Sequence, residues 1–196
     1  MASSGAPGTD AADGASTWAT LDDAGLQVLF NSTFDRGLNP VMRLLGGRLV
    51  EVDVAAQTVT ASFETVEQFS NGTSVQGGIS AAMLDATCAY LVLCATRLAH
   101  GMTSLEQKCV YLAPVPVGVA VHATARFVRK GSRIAFCEAS LFRPGEAAEP
   151  LVTATQTCML IPGPAHAQRL QQQQPHKAKR GRAAACEGST AAPPKL

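Results

Sequence analysis

The sequence predicts an α+β fold in which a curved antiparallel sheet of about six strands wraps around one long central helix. Residues 79–99 are almost wholly apolar, which is typical of a helix that is buried on nearly all sides. Two segments before it and four after it have the polarity of half-buried strands. The chain has 196 residues, a length that suits one domain with tails better than two domains.

Hydrophobic periodicity predicts the elements before the central helix. Residues 21–34 are amphipathic, with Thr20 as the expected N-cap and Gly37 near the end, so we predict a first helix there. In residues 43–54 and 58–63, apolar and polar side chains approximately alternate, which is the period of a strand. A helix is therefore expected first, followed by two strands that a short turn joins.

The central segment has to be weighed as a membrane span, because residues 79–99 are about as long as a span requires. Asp85 lies in its middle, Tyr90 and Arg97 also fall within it, and no positively charged flank surrounds it. A carboxylate is costly in the middle of a membrane span. We therefore predict a core helix.

Four further strands complete the predicted sheet. Residues 103–112, 117–129, 133–143 and 151–161 have strand patterns and are separated by turns rich in proline and glycine. The predicted order is therefore helix, two strands, helix and four strands.

Composition sets the domain boundaries near residues 18 and 162. Residues 1–17 and 163–196 are poor in large apolar side chains, so we expect both tails to be disordered. The net charge of the whole chain is +1, which gives no indication of nucleic-acid binding. The charge is uneven, however, at −4 over residues 1–161 and +5 over residues 162–196. The C-terminal tail is therefore basic.

Cysteine usage and the chain ends indicate the compartment. None of the six cysteines forms a C-x-x-C pair or has a histidine at zinc-ligand spacing, so we expect buried free thiols in a reducing compartment and no metal site. The N-terminal residues lack the pattern of a secretory signal, and we expect a cytoplasmic protein. A peroxisomal location is the alternative, because the terminal Pro-Lys-Leu differs at one position from the Ser-Lys-Leu address.

Asp85 is an ionisable residue in the middle of a predicted core helix, so its presence there needs an explanation. In a structural interpretation, it caps a neighbouring loop or pairs with Arg97 on its own helix. In a chemical one, backbone N–H groups at Gly77 and Gly78 stabilise a developing oxyanion, and together with a carboxylate they indicate acyl transfer. Gly77 lies eight residues before Asp85, about 12 Å along one helix. A two-fold dimer could bring both groups to one carbonyl.

Four sequence blocks carry a resemblance to a known family. They are Leu45-Gly-Gly-Arg-Leu-Val-Glu-Val, Asn71-Gly-Thr-Ser-Val-Gln-Gly-Gly-Ile-Ser-Ala-Ala-Met-Leu-Asp85, Tyr111-Leu-Ala-Pro and Val128-Arg-Lys-Gly-Ser-Arg-Ile-Ala. Together they resemble the hotdog-fold acyl-CoA thioesterases of the phenylacetate-pathway (PaaI-like) and 4-hydroxybenzoyl-CoA thioesterase type. The resemblance covers residues 40–161, and the Gly-Gly-x6-Asp spacing is its most specific part.

The resemblance implies a role for each matching position. The family's nucleophile or general base falls on Asp85, and its oxyanion donor falls on Gly77. Ser104 matches a serine that orients the attacking water, and Asn71 is the candidate for the polar residue that contacts the thioester. Positions expected to contact substrate or CoA are Gly78, Gly131, Ser132 and Arg133. The neighbouring Arg129 and Lys130 are equally well explained as solvated turn charges.

The sequence departs from the family motif at Gln76, where histidine is most common. An amide cannot accept a proton near neutral pH, but it can donate and accept hydrogen bonds. With a carboxylate as the reacting group, the change is compatible with activity. His100, at the end of the central helix, and His122, on a strand, are expected to serve packing or solvent contact rather than catalysis.

Hydrolysis of an acyl-CoA thioester is the leading hypothesis that the resemblance implies. The alternative, which Gln76 motivates, is a non-catalytic protein that binds and senses acyl-CoA. A hotdog hydratase or dehydratase would need a catalytic histidine paired with an acid, and neither the motif loop nor the central helix supplies one. We expect an acyl-CoA partner and a homodimer or homotetramer. We expect no cofactor, nucleic acid or membrane span, and the acyl group is not predicted.

Overall fold

A computed structural model describes residues 20–163 of the chain. Its helices are α1 (Asp23–Asp35), α2 (Pro40–Leu44) and α3 (Gly77–Ala95), with a 3₁₀ helix at Glu67–Phe69. Its strands are β1 (Arg48–Asp53), β2 (Thr58–Glu64), β3 (His100–Tyr111), β4 (Ala120–Lys130), β5 (Ile134–Phe142) and β6 (Val152–Pro162). The predicted domain start at residue 18, the two tails and the C-terminal Pro-Lys-Leu lie outside the described residues and stay predictions.

One antiparallel sheet contains the six strands in the order β1-β2-β4-β5-β6-β3. β3 is an edge strand and pairs with β6 along its length, from His100 opposite Pro162 to Tyr111 opposite Val152. The first strand after α3 is therefore attached to the sheet through the last strand of the domain. α3 packs against β2, β3, β4, β5 and β6. The predicted fold class, a curved sheet around a long helix, is confirmed.

The central helix α3 is buried because its side chains are apolar on nearly every side. Met83, Leu84, Cys88 and Leu91 have no exposed surface. By length and composition α3 could cross a membrane, and 56% of its most apolar window is buried inside the fold. Burying one such side chain contributes about 1.5–3 kcal/mol, so the contact between α3 and the sheet forms the main core.

The predicted end of α3 at Ala99 is wrong, because the helix stops at Ala95. Arg97 and Leu98 have positive φ values of 47° and 63°, and the Leu98 N–H donates to the Leu93 carbonyl at 2.8 Å. This is a left-handed helix end that turns the chain into the sheet. His100 consequently begins β3, and does not end the helix as predicted.

The first helix, α1, confirms the amphipathic prediction but begins later than expected. Its N-cap is Asp22, whose carboxylate accepts from the Gly25 N–H at 2.8 Å, so the prediction of Thr20 as N-cap is wrong. The carboxylate of an aspartate satisfies a free N–H of the first turn well. The buried side chains of α1 are Leu26, Phe30 and Phe34, and both phenylalanine rings pack edge-on against Tyr90.

Helix α2 replaces the start of the strand predicted over residues 43–54. The Asn39 side chain accepts from the Met42 N–H at 3.1 Å, and Pro40 occupies the first turn, so capping favours a helix there. Gly46, at φ 60°, then turns the chain so that β1 begins at Arg48. The local capping residues outweigh the alternation on which the strand prediction was based.

A β-bulge changes the face assignment in β1. Strict alternation predicts Val50, Val52 and Val54 on one face, but the register against β2 shifts between Leu49 and Glu51. Leu49 and Val52 are buried as a result, whereas Val50 is 40% exposed. A bulge inserts one residue and reverses the alternation beyond it.

The edge strand β1 is attached to α1 through the Asn31 side chain. The Asn31 amide donates to the Leu49 carbonyl, and the Leu49 N–H donates back to the Asn31 side-chain oxygen, both at 2.9 Å. The side chain thus hydrogen-bonds to both backbone groups of Leu49, as a neighbouring strand would. Removal of the Asn31 amide leaves the part-buried Leu49 N–H without its partner, whereas the Leu49 carbonyl still accepts from the Gln27 amide at 3.1 Å.

We expect Asn31→Leu to lower the free energy of unfolding by about 1–3 kcal/mol, because an unpaired buried backbone group costs about that much. Urea unfolding followed by circular dichroism measures the change. Val28→Ala, on the exposed side of the same helix, is the control and should shift stability by less than about 0.5 kcal/mol. Equal stability of Asn31→Leu and the wild type would contradict this account of the β1 attachment.

Candidate active site

Asp85 lies near the middle of α3 and faces β3 and β6. The Ser104 hydroxyl on β3 donates to Asp85 Oδ1 at 2.6 Å, and the Gln156 amide on β6 donates to the same oxygen at 2.5 Å. Gln156 Nε2 also donates to the Ser104 oxygen at 2.8 Å. The three side chains therefore form a closed ring of hydrogen bonds around one carboxylate oxygen.

The second carboxylate oxygen, Oδ2, accepts no hydrogen bond from residues 20–163. Asp85 forms no salt bridge within this range, and the Arg97 guanidinium donates instead to the Leu21 carbonyl. The predicted structural pairing of Asp85 with Arg97 is therefore wrong. A carboxylate that is anchored through one oxygen and free at the other can attack an electrophile or accept a proton from water.

Three buried cysteines, Cys88, Cys137 and Cys158, belong to the core around this ring. The S–H hydrogen bond with Cys137, together with burial, raises the pKa of Cys158 far above its ordinary value. For Cys137, the hydrogen bond from Cys158 lowers the pKa, but the one to Cys88 and burial outweigh it and raise the pKa to about 12. The thiols of Cys137 and Cys158 therefore stay protonated near neutral pH and are poor nucleophiles.

The N-terminus of α3 supplies unused backbone donors. Gln76 is the N-cap, and its side-chain oxygen accepts from the Ile79 N–H at 3.2 Å. The Ile79 and Ser80 N–H groups also donate to the Gln76 carbonyl, which leaves those of Gly77 and Gly78 without a protein acceptor among residues 20–163. In place of the usual histidine, this chain therefore has an amide that caps the helix.

Tyr111, at the end of β3, lies over Gly77. Its hydroxyl donates to the Gly77 carbonyl at 3.0 Å. A Cβ at position 77 would come within 3.1 Å of two atoms of the phenol ring, so the absence of a side chain lets the ring approach. The Tyr111 hydroxyl thus fixes the position of the Gly77 carbonyl, which belongs to the same residue as the unused N–H.

A cavity of about 360 Å³ opens at this end of α3. Its lining includes Asn71, Ser74, Val75, Gly77, Ser80 and Tyr111. Ser80 is fully buried at the cavity wall, and its hydroxyl has no hydrogen-bond partner in the described part of the chain. Thr87, two turns further along the helix, instead donates to the Met83 carbonyl at 2.8 Å. The cavity therefore combines an unused N–H group with an unsatisfied hydroxyl.

Asn71 borders the same cavity but uses its side-chain oxygen locally. That oxygen accepts from the N–H and hydroxyl of Thr73 and from the N–H of Ser74, each at 3.2 Å. The side chain thus fixes the shape of the loop that precedes α3. A larger hollow of about 490 Å³ lies between α1, the turn before β1 and β2, and it contains none of the predicted site residues.

The predicted CoA-contacting turn lies at the other end of α3. Its residues, Gly131, Ser132 and Arg133, are exposed between β4 and β5. The Arg133 carbonyl accepts from the Leu160 N–H at 2.8 Å, and Leu160 packs against Val92 of α3. Since Val92 is fifteen residues beyond Gly77, about 22 Å along the helix, the turn and Gly77 do not meet within one protomer.

The structure thus forms two separate groups along α3. Ser104 contacts Asp85 in the middle of the helix, and Asn71 lies beside Gly77 at its start. The two histidines lie elsewhere, since His100 begins β3 and the ring of His122 packs edge-on against Phe142 at 6.2 Å. Within residues 20–163, no three His, Cys, Asp or Glu side chains are grouped so that they could hold a metal ion.

Comparisons with known proteins point to thioesterases. A family profile described as "Thioesterase superfamily" matches residues 72–148, the stretch that contains Gly77, Asp85, Ser104 and Tyr111. The match covers 77 of the 196 residues, and over this stretch the chain is similar to the thioesterase superfamily. The sequence blocks predicted this likeness to acyl-CoA thioesterases of the hotdog fold.

The individual relatives of this chain are distant in sequence. Mouse acyl-coenzyme A thioesterase 13 is 27% identical over 92 residues, which are 46% of this chain and 64% of the mouse protein. The match therefore spans less than two thirds of that relative. A phenylacetic acid degradation-related protein from Ralstonia eutropha is 29% identical, with a TM-score of 0.59 over 66% of this chain and 98% of that one. E. coli PaaI, at 16% identity, shares the fold with a TM-score of 0.59 over 70% and 95% of the two chains.

Sequence reasoning missed three residues of this candidate site, namely Gln156, Tyr111 and Ser80. The sequence did contain a signal for Gln156. It is a polar residue at an inward position of β6, where Ala154 and Cys158 on the same face are also buried. Nothing local pointed to its partner, which lies 71 residues earlier in the chain. Pairing of this kind depends on strand order and register.

The raised thiol pKa values predict that Cys137 and Cys158 resist alkylation. At pH 8 a thiol with a pKa of about 12 is thiolate to roughly one part in 10⁴, and the thiolate fraction rises only as the pH approaches the pKa. Iodoacetamide at pH 8 should therefore leave Cys137 and Cys158 unmodified in the native protein, as measured by peptide mass spectrometry. The urea-unfolded protein is the control, and rapid native labelling of Cys137 would contradict the expectation.

Proposed function

We propose that this protein is an acyl-CoA thioesterase that hydrolyses the thioester to a free acid and CoA. The observation that carries the proposal is the Asp85 carboxylate, which two donors hold through Oδ1 while Oδ2 is unpaired. The unused N–H of Gly77 on a cavity supports it. The acyl-coenzyme A thioesterase name of the curated relatives supports the substrate class.

In the proposed reaction, the Gly77 N–H donates a hydrogen bond to the thioester carbonyl and stabilises the oxyanion that forms there. Asp85 Oδ2 either attacks the carbonyl carbon or takes a proton from the attacking water. Attack forms a mixed anhydride that water then cleaves, and base catalysis adds the water oxygen directly. Both routes break the carbon–sulfur bond, and CoA leaves as a thiolate that takes up a proton.

The proposed site takes Gly77 from one protomer and Asp85 from the other. The two residues are about 12 Å apart along α3, which is too far for one carbonyl. A two-fold axis with antiparallel helices would bring them together, and it would also bring the Gly131–Arg133 turn of one protomer to the Gly77 end of the other. The edge strand β3 supports such pairing, since it is twelve residues long and carries exposed Leu105 and Val110.

We expect Asp85→Asn to lower thioester turnover by at least about 10³-fold, because an amide can neither attack nor accept the proton. Free-thiol release from phenylacetyl-, hydroxybenzoyl-, short- and medium-chain acyl-CoAs measures it. Asp35→Asn removes a surface carboxylate that pairs with Arg48, and this control should retain full turnover. Acyl-CoA binding by the wild type without any turnover would favour the sensing alternative and make Gln76 its suspected cause.

A second experiment tests the shared site with mixed dimers. Gly77→Pro removes the N–H, and proline suits the first position of a helix. Its Cβ also displaces the Tyr111 ring slightly, so Gly77→Ala, which adds the Cβ but keeps the N–H, is the matched control. Gln76, at φ −61° and ψ 135°, already has a backbone conformation that proline allows in the residue before it. Each of Gly77→Pro and Asp85→Asn should be inactive alone.

A co-refolded equal mixture should recover about a quarter of wild-type activity, because half of the dimers are mixed and each of those has one intact site. Circular dichroism first establishes that both variants fold. If the mixture stays inactive although mixed dimers are isolated through two different affinity tags, Gly77 and Asp85 do not share a site across the interface.

A further inference from the structure

Gln156 is deeply buried beside the Asp85 carboxyl although its inward neighbours on β6 are apolar. Its side chain is 2% exposed, and its inward neighbours on β6 include Ala154 and Cys158. Both hydrogen bonds from its amide nitrogen go to the Asp85 ring, to Asp85 Oδ1 at 2.5 Å and to the Ser104 oxygen at 2.8 Å. Every hydrogen bond of the Gln156 side chain within the described residues therefore serves the carboxylate and its serine.

The side-chain oxygen of Gln156 has no partner in the described part of the chain, although it is fully buried. Reversing the amide would place this oxygen 2.5 Å from Asp85 Oδ1, where two acceptors would repel each other. The observed orientation is thus the one that an ionised Asp85 requires. A buried acceptor without a donor destabilises a fold, so stability alone would favour an apolar side chain at position 156.

We propose that Gln156 is the positioning residue of the site: with Ser104 it occupies Oδ1 of Asp85 and so presents Oδ2 to the thioester. The inference rests on the proposed function and adds to it a residue that neither the sequence motifs nor the family resemblance identified. Because Gln156 acts through Asp85 and does not touch the substrate, its loss slows the chemical step and leaves substrate binding intact.

The test uses the full-length protein with Gln156→Met, which keeps the side-chain length but removes both the donor and the unsatisfied acceptor. We expect kcat to fall by about 10- to 100-fold, since misplacement of a reacting group costs on that order, while KM changes by less than about two-fold. Tm should be unchanged or higher. These opposite effects on activity and stability separate a positioning role from a structural one.

Gln107→Met is the matched control. Gln107 also projects its amide inward, but it donates to the Ala81 carbonyl at 3.1 Å and forms no hydrogen bond with Asp85. The same chemical change there should leave kcat at the wild-type level. A fall in kcat that is equal in both variants would overturn the assignment of a specific role to Gln156.

Gln156→Glu tests the role through the pH dependence of kcat, which a purely structural role of Gln156 would not change. A carboxyl next to Asp85 can donate only while it holds a proton, and the two acids titrate as a pair. We expect kcat of this variant to fall toward alkaline pH, where the pair loses its shared proton and the two carboxylates repel each other, and the wild-type pH profile, which lacks the second acid, is the reference. If Gln156→Met lowers both Tm and kcat, this pH profile decides: a new alkaline loss supports positioning, and an unchanged profile overturns it.

The failures of the two proposals can be told apart. If the wild type releases thiol and Gln156→Met does so at the same kcat, Gln156 does not position Asp85 while the thioesterase proposal stands. If the wild type releases no thiol from any acyl-CoA in the panel, both proposals fall together.

Discussion

The burial of α3 against the inner face of the sheet is the constraint on which the other features depend. A helix that is apolar on nearly all sides has to be covered along its length, and every strand except β1 contributes to that cover. Any polar group that this helix or its cover directs inward must find a partner or destabilise the fold. Asp85 finds two partners on two neighbouring strands, whereas Ser80 finds none.

The same helix separates the chemical groups of the site. Its first turn offers free N–H groups because every α-helix begins with donors that lack an acceptor inside the helix. Its middle carries the carboxylate, at a depth where strands β3 and β6 can both reach it. The cap at Gln76 fits this division of roles, because its side-chain oxygen holds the Ile79 N–H and leaves that of Gly77 unused. A residue that fixes the helix start thereby keeps the oxyanion donor available.

The sequence allowed the fold to be predicted because the long apolar run and the alternating strands are strong periodic signals. Prediction from the sequence failed where local interactions outweigh hydrophobic periodicity. The Asn39 cap and Pro40 form a helix just before and at the start of the predicted strand. The bulge after Leu49 reverses the faces of β1. The Gly-Gly-x6-Asp motif pointed to Gly77 and Asp85, yet no local pattern could pair Asp85 with Gln156. That contact depends on β6 inserting between β5 and β3.

The position of β6 has a consequence for how the protein is made. A ribosome releases β3 some fifty residues before β6, so the strand that carries Ser104 emerges long before β6, its neighbour in the sheet that residues 20–163 form. Until then, the nascent chain has an apolar α3 with incomplete cover and a twelve-residue strand with both edges open, the kind of surface that chaperones bind. The pairing of β6 completes the sheet and also brings Gln156 to Asp85. Both therefore happen late, in one step that depends on the last strand of the domain.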